Sequence, residues 1–151
     1  MKNTILIFED NTSFANSLQL LINTTDNKHC PEVYPNPKHI LDAIKKHKPA
    51  VILMDIDMPQ MNGIEAIKVV KKKHPNLPII MQTIFDDGDK IYNSILAGAN
   101  GYILKKAKPS KYLDAIDDVI KGGAPMTASV AAKVLDLMLN PPKKEKEKFD
   151  L

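Results

Sequence analysis

The sequence has few of the features that mark secreted or membrane proteins. A single cysteine, Cys30, leaves no partner for an internal disulfide bond, which is typical of a reducing cytoplasm. A membrane-spanning helix needs about 20 apolar residues, and every apolar run here is far shorter. Because Lys2 leads straight into a short strand-like run, a secretory signal is not expected either. These absences predict a cytoplasmic protein without membrane attachment.

Arginine is missing as well, so all 21 basic residues are lysines. Arginine is the side chain that most often reads guanine in DNA. The lysines are spread among 18 acidic residues, as on solvated helix faces, and the net charge is only +3. We therefore do not expect this chain to recognise DNA bases itself.

What is present is an alternation of short apolar runs and amphipathic segments over 151 residues, enough for one domain with a full core. The predicted strands are residues 5–8, 51–54, 77–81 and 102–104, with a weaker one at 33–34. Helical stripes lie between them, and the fifth stripe contains Leu113, Ile116 and Ile120. This order predicts an α/β fold, the flavodoxin-like (βα)5 doubly wound parallel sheet with strand order 2-1-3-4-5.

The chain divides near residue 123. Gly122 and Gly123 end the fifth helical segment. Thr127 is suited to begin a sixth helix, which ends before a pair of prolines and a lysine-rich stretch. We predict a folded domain over residues 1–123, followed by a linker helix and a lysine-rich linker over residues 124–151.

Acidic side chains come directly after two of the predicted strands. Glu9 and Asp10 follow the first strand, and Asp55 ends the third, with Asp57 two residues on. Ligands of doubly wound sheets bind outside the carboxyl ends of the strands where the winding reverses, here between these two strands. Two like charges about 4 Å apart repel by about 4 kcal/mol at an effective dielectric of 20. The cluster therefore needs a cation or a proton, and its oxygen ligands suit Mg²⁺.

Two further polar residues end the remaining strands at the same edge. Thr83 ends the fourth strand and Lys105 the fifth. Alone, each is more often an ordinary strand or surface residue. A hydroxyl and an ammonium that face a carboxylate–Mg²⁺ centre, however, supply the donor and the positive charge that a transferred phosphoryl group requires. Their shared location therefore predicts phosphoryl transfer.

These residues lie in segments that resemble the receiver domain of two-component response regulators. The segments are Glu9-Asp10, VILMDIDMPQMNG (51–63), QTIFDD (82–87) and AGANGYILKK (97–106). They occur in the family's order, each at a predicted strand end, and the resemblance covers residues 1 to about 122. It implies a protein that is not a conventional enzyme, although it catalyses its own phosphorylation and dephosphorylation.

The resemblance also implies roles for the acidic residues. Asp55 would accept a phosphoryl group from a sensor histidine kinase. Asp10 and Asp55 would bind Mg²⁺ together with the backbone carbonyl of Asp57, and Glu9 would bind it directly or through water. Glu9 is a departure, because aspartate is commoner at this position in the family.

The remaining roles concern the response to phosphorylation. Thr83 and Lys105 would contact the phosphoryl oxygens. Movement of Thr83 would let the aromatic switch residue Tyr102 turn inward, which biases the face of helix 4, strand 5 and helix 5 toward a homodimer or another partner. A plain core role for Tyr102 is nearly as well supported by the residues alone.

Two other departures from the family pattern follow Thr83 and Lys105. Ile84 stands where many receivers have a small residue, and we hypothesise that Ile84 and Phe85 shield the phosphoryl group from water. Lys106 stands where a proline often follows the lysine, so the geometry of the Lys105–Lys106 peptide bond is left open.

The residues after the fifth helix resemble the connector of LuxR/NarL-type regulators. In that family a helix-turn-helix domain follows, and Leu151 would be its first residue. The chain would then be an N-terminal fragment of a transcription regulator that binds DNA only through the missing domain. The alternative is a stand-alone receiver that acts through protein–protein interaction.

Two other classes share single features with this chain. Haloacid dehalogenase-like phosphatases use a nucleophilic aspartate with a second one two residues on, but after the first strand, whereas Asp55 and Asp57 follow the third. Flavodoxin-like FMN proteins need a loop rich in serine, threonine and glycine after the first strand. Here that loop opens with two acids, which would repel a phosphate that is not accompanied by a metal ion. Both classes receive little weight.

Overall fold

The computed structural model describes residues 2–58, 60–84 and 88–141, and the statements below concern these ranges. Pro59, Phe85 and residues 142–151, with Leu151, lie outside them. Strands and helices alternate along the chain. The elements are β1 (Asn3–Phe8), α1 (Thr12–Asn23), β2 (Lys28–His29), β3 (Val33–Tyr34), α2 (Ile40–His47), β4 (Val51–Asp55), α3 (Gly63–Lys73), β5 (Ile79–Thr83), α4 (Gly88–Ala97), β6 (Gly101–Leu104), α5 (Pro109–Ile120) and α6 (Ala128–Leu139).

The strands form one parallel sheet. Its order is β2-β1-β4-β5-β6, and β3 also pairs with β1. One edge of β1 pairs with β4. The other edge pairs with both β2 and β3, which are therefore two pieces of one interrupted strand. Counted as one, they give the predicted order 2-1-3-4-5, and the flavodoxin-like fold is confirmed. The strand Lys28–His29 was not predicted, because this segment has no apolar run.

Helices cover both faces of the sheet, as strands with continuous apolar runs require. Side chains alternate along each strand and so divide the core in two. Helices α2, α3, α4 and α6 pack on the face that includes Leu6 and Tyr102. Helices α1 and α5 pack on the other face, which includes Ile7 and Leu53. Within the described ranges, no helix has the length and apolar character needed to span a bilayer.

The buried face of α5 differs from the predicted stripe. Tyr112, Ala115 and Ile116 are buried, whereas Leu113 is buried only in part and Ile120 is 37% exposed. The stripe read from the sequence was therefore wrong except at Ile116. The predicted stripe was built from large aliphatic residues and left out Tyr112, which is buried.

The predicted linker helix is present as α6, and it packs against the sheet domain. Val130 is fully buried in the same core cluster as Tyr102, and α6 contacts both α4 and β6. The backbone N–H of Tyr102 donates to the carbonyl of Pro125 at 2.9 Å. Helix α6 therefore covers part of the face that was expected to bind a partner. The domain division at residue 123 stays a prediction.

Candidate functional site

Four polar side chains lie at neighbouring strand ends on the side of the sheet that faces α1 and α5. The sheet register pairs Asp55 of β4 with Gln82 of β5, and Glu9 and Lys105 come one residue after β1 and β6. They continue the alternation of the buried strand residues on that side. A Cβ at Gly63 would collide with the backbone oxygen of Asp55, so this glycine lets α3 begin close beside the site. Asp55 thus lies inside a row of polar groups.

Lys105 contacts two buried carboxylates at once. Its Nζ lies 2.5 Å from Oε1 of Glu9 and 3.3 Å from Oδ2 of Asp55. The Glu9 side chain is fully buried, and its Oε2 accepts a hydrogen bond from the backbone N–H of Asn11 at 2.9 Å. The same ammonium lies over the Phe14 ring, 5.1 Å from its centroid. The peptide bond that follows Lys105 is trans.

The protonation of Asp55 reflects this crowding. Burial and, after it, the negative charge of Glu9 raise the pKa of Asp55 to about 7, while Lys105 opposes the shift. The ammonium of Lys105 therefore does not offset the burial of Asp55 and the nearby charge of Glu9. A second cation next to Asp55 would favour its charged form.

The carboxylates are placed so that they could share a metal ion. Glu9, Asp10 and Asp55 each have an oxygen within 4.8 Å of the others. The Asp57 side chain is not part of this group of three, and both its oxygens accept from Nζ of Lys90 on α4 at 2.9 Å. Only its backbone was expected at the metal, and its backbone N–H donates to Oδ1 of Asp55 at 3.4 Å. Metal binding by the Asp57 carbonyl stays a prediction.

A cavity of about 340 Å³ opens above Asp55 at the carboxyl edge of the sheet. The residues that line it are Asp10, Asn11, Asp55, Asp57, Thr83, Ile84 and Lys105. Glu9 lies beneath it, in contact with Lys105. Thus six of the seven predicted site residues converge on one place, although their chemical roles stay predictions.

Tyr102 is the predicted site residue that does not line the cavity. It is fully buried on β6, where the register places it beside Met81. Thr83 comes two residues after Met81, so the alternation puts Thr83 and Tyr102 on the same face of the sheet. This face is the one that α4 and α6 cover.

The sequence interpretation missed two polar residues of this region. Gln82 donates from Nε2 to Oε1 of Glu9 at 3.3 Å, and Lys90 pairs with Asp57. A signal for Gln82 was available, because it is the one amide in the apolar run that leads to Thr83. Nothing in the sequence distinguishes Lys90 from the other helix lysines.

The chain belongs to the response regulator receiver domain family, whose model matches residues 5–117. The family comprises receivers of two-component systems rather than conventional enzymes. The assignment to receivers is thereby confirmed, and the phosphatase and FMN-protein alternatives have no support from it.

Similar proteins include transcriptional regulatory proteins and a response regulator of known structure. It is 30% identical over 149 residues to transcriptional regulatory protein YdfI of Bacillus subtilis (strain 168), which covers 99% of this chain and 70% of that protein. It is 41% identical over 96 residues to the uncharacterized transcriptional regulatory protein YxjL of the same organism, covering 64% and 44%. A LuxR-family two-component response regulator from Aurantimonas sp. SI85-9A1 has the same fold, with a TM-score of 0.85 at 18% identity over 93% of this chain and 100% of that one. The chain thus matches only part of the length of its curated relatives.

Proposed function

We propose that this receiver accepts a phosphoryl group on Asp55 from a phosphohistidine of a sensor kinase. A carboxylate oxygen of Asp55 attacks phosphorus, the P–N bond breaks, and the histidine leaves with its electron pair and takes up a proton. The observation that carries this proposal is the position of Asp55. It lies at the base of a cavity that also presents Thr83 and the ammonium of Lys105, the two groups that phosphoryl oxygens require.

The residues present fit a bound Mg²⁺. The acids offer oxygen ligands, and burial together with the negative charge of Glu9 raises the pKa of Asp55 although Lys105 lies beside it. Asp10 and Asp55 would hold the ion, with the Asp57 carbonyl and, directly or through water, Glu9. When bound, it supplies positive charge for the phosphoryl oxygens.

The protein's own groups would do the remaining work at the site. Lys105 favours the ionised form of Asp55 and holds its side chain in place through their 3.3 Å contact. The Thr83 hydroxyl would move toward the new phosphoryl group. Because Thr83 and Tyr102 share a face of the sheet, this movement would alter the packing of Tyr102 against α4 and α6.

The names of the similar proteins favour transcription control as the output. YdfI and YxjL are transcriptional regulatory proteins, and each is longer than its match to this chain. We propose that phosphorylation promotes dimerisation and acts on promoters through a LuxR-type helix-turn-helix domain. The competing proposal is a stand-alone receiver that acts through protein contacts.

Phosphorylation can be tested with acetyl phosphate and Mg²⁺, followed by intact mass measurement. We expect wild type and the surface variant Asp42→Asn to gain one phosphate, and Asp55→Asn to gain none. Chelation of the metal should abolish the gain. A phosphate that persists in Asp55→Asn would place the acceptor elsewhere.

A further inference from the structure

Gln82 is a fully buried amide in a strand that is otherwise apolar up to Thr83. It lies between Asp55 of β4 and Ile103 of β6 in the sheet register. Its Nε2 donates to Oε1 of Glu9 at 3.3 Å. Its own Oε1 has no hydrogen-bond partner among the described residues.

This placement is not explained by stability. A buried amide loses its hydrogen bonds to water, and an oxygen left without a partner makes that loss costly. A leucine or methionine of similar volume would match the apolar residues that precede it on β5. The amide therefore points to a task at the oxygen to which it donates, which is Oε1 of Glu9.

The Glu9 carboxylate is held from three directions. Lys105 contacts Oε1 from β6 at 2.5 Å, Gln82 contacts the same oxygen from β5, and the Asn11 N–H donates to Oε2 at 2.9 Å. Lys105 also contacts Asp55, so its ammonium is shared with the carboxylate that would carry the phosphoryl group. Gln82 is neutral, and the hydrogen bond that it donates goes to Glu9 and not to Asp55. It can therefore hold Glu9 in one orientation while Lys105 turns toward a phosphoryl group.

We propose that Gln82 is a positioning residue that fixes the Glu9 carboxylate for cation binding. This inference rests on the proposed function, since it assumes that the acids bind Mg²⁺. Hydrogen-bond partners of metal ligands typically change metal affinity by about 10–100-fold when they are removed. Since Glu9 keeps two other contacts, we expect the lower end, about 10-fold.

The test measures Mg²⁺ affinity by isothermal titration calorimetry, without any phosphoryl donor. Gln82→Leu should bind Mg²⁺ about 10-fold more weakly than wild type and unfold at an equal or higher denaturant concentration. Gln82→Met is the second variant, in case leucine does not pack. Met81→Leu is the matched control, because Met81 is adjacent on β5 but faces the other side of the sheet, and its Mg²⁺ affinity should equal that of wild type.

A double-mutant cycle with Glu9→Ala separates a direct role from one exerted through Glu9. In the Glu9→Ala background, Gln82→Leu should leave the Mg²⁺ affinity unchanged. Equal affinities of wild type and both Gln82 variants would overturn the inference and leave the proposed function intact. An effect that persists without Glu9 would overturn it too. Failure of wild type itself to bind Mg²⁺ would instead reject the metal site of the proposed function.

Discussion

Lys105 and Glu9 form a buried ion pair, with Nζ 2.5 Å from Oε1. The pair lies directly beside Asp55, whose carboxylate shares the same ammonium. Any change at Glu9 must therefore alter the charge balance at Asp55, even though the side chain of Glu9 does not line the cavity.

Glu9→Gln should lower the pKa of Asp55 from about 7 toward its ordinary range. The negative charge of Glu9 is a principal cause of the shift after burial, and its removal also leaves Lys105 to Asp55 alone. The measurement is a carboxyl ¹³C NMR titration in metal-free buffer. Glu32→Gln, at the far edge of the sheet, is the control and should leave Asp55 unchanged. An unaltered titration in Glu9→Gln would contradict the geometry of the pair.

The metal-free protein should lose stability as the pH rises from about 4 to about 7. The pKa of Asp55 is raised on folding, so the folded state binds the proton more tightly. This contribution is present in full below the unfolded value of 3.8 and is lost as the pH passes the folded value of about 7. Urea midpoints measured across this range in EDTA would show the decline.

Asp55→Asn is the variant that checks this assignment. Because an amide does not titrate, the stability of this variant should change less over the same pH range. At neutral pH the variant should be more stable than the wild-type protein. Saturating Mg²⁺ should raise the stability of the wild-type protein at neutral pH, because the ion binds the folded state with Asp55 ionised. If wild type and Asp55→Asn declined equally with pH, another group would be responsible.

Ile84→Ala should speed the loss of the phosphoryl group from phosphorylated Asp55. Ile84 lines the cavity yet is 65% exposed, so the side chain covers the opening more than it supports the core. The free energy of unfolding should change by no more than about 0.5 kcal/mol. Leu96→Ala, another exposed apolar residue at 58%, is the control and should keep the wild-type rate. An unchanged rate in Ile84→Ala would end the shielding hypothesis.

Val130→Ala should lower the free energy of unfolding by about 2 kcal/mol, although Val130 follows the predicted domain boundary. The side chain is fully buried against the core that contains Tyr102. Leu135→Ala on the same helix is the control, since Leu135 is 63% exposed, and it should change stability by about 0.5 kcal/mol or less. Denaturant unfolding of both variants decides the matter. Equal small effects would mean that α6 is not part of the folded domain in solution.

Much of the fold and of the candidate site could be predicted, because the apolar runs reveal the strands and the residues after those runs mark where the strands end. Buried parallel strands have continuous apolar runs, and the residue after each run must lie at the carboxyl edge. This places Asp55, Thr83 and Lys105 together without knowledge of any contact. The two-residue strand Lys28–His29 could not be found in this way, because backbone pairing to β1 forms it and its side chains carry no pattern.

Packing between elements was harder to predict. The α5 stripe was wrong because helical periodicity does not tell whether Tyr112 or Leu113 faces the sheet. The attachment of α6 was not foreseen, since an amphipathic helix does not indicate which surface it covers. The contact between Gln82 and Glu9 was not predicted, because the two residues are 73 positions apart in the chain and only the folded sheet brings them together.

The docking of α6 has a consequence for any protein that binds the face formed by α4 and β6. Such a partner has to displace a helix joined to this surface by the few residues after α5, and a short covalent connection gives that helix an effective concentration in the millimolar range. The affinity measured for a partner will thus depend on whether the receiver used in the binding experiment retains α6 with Val130. A shortened receiver would report a much tighter association than the intact one.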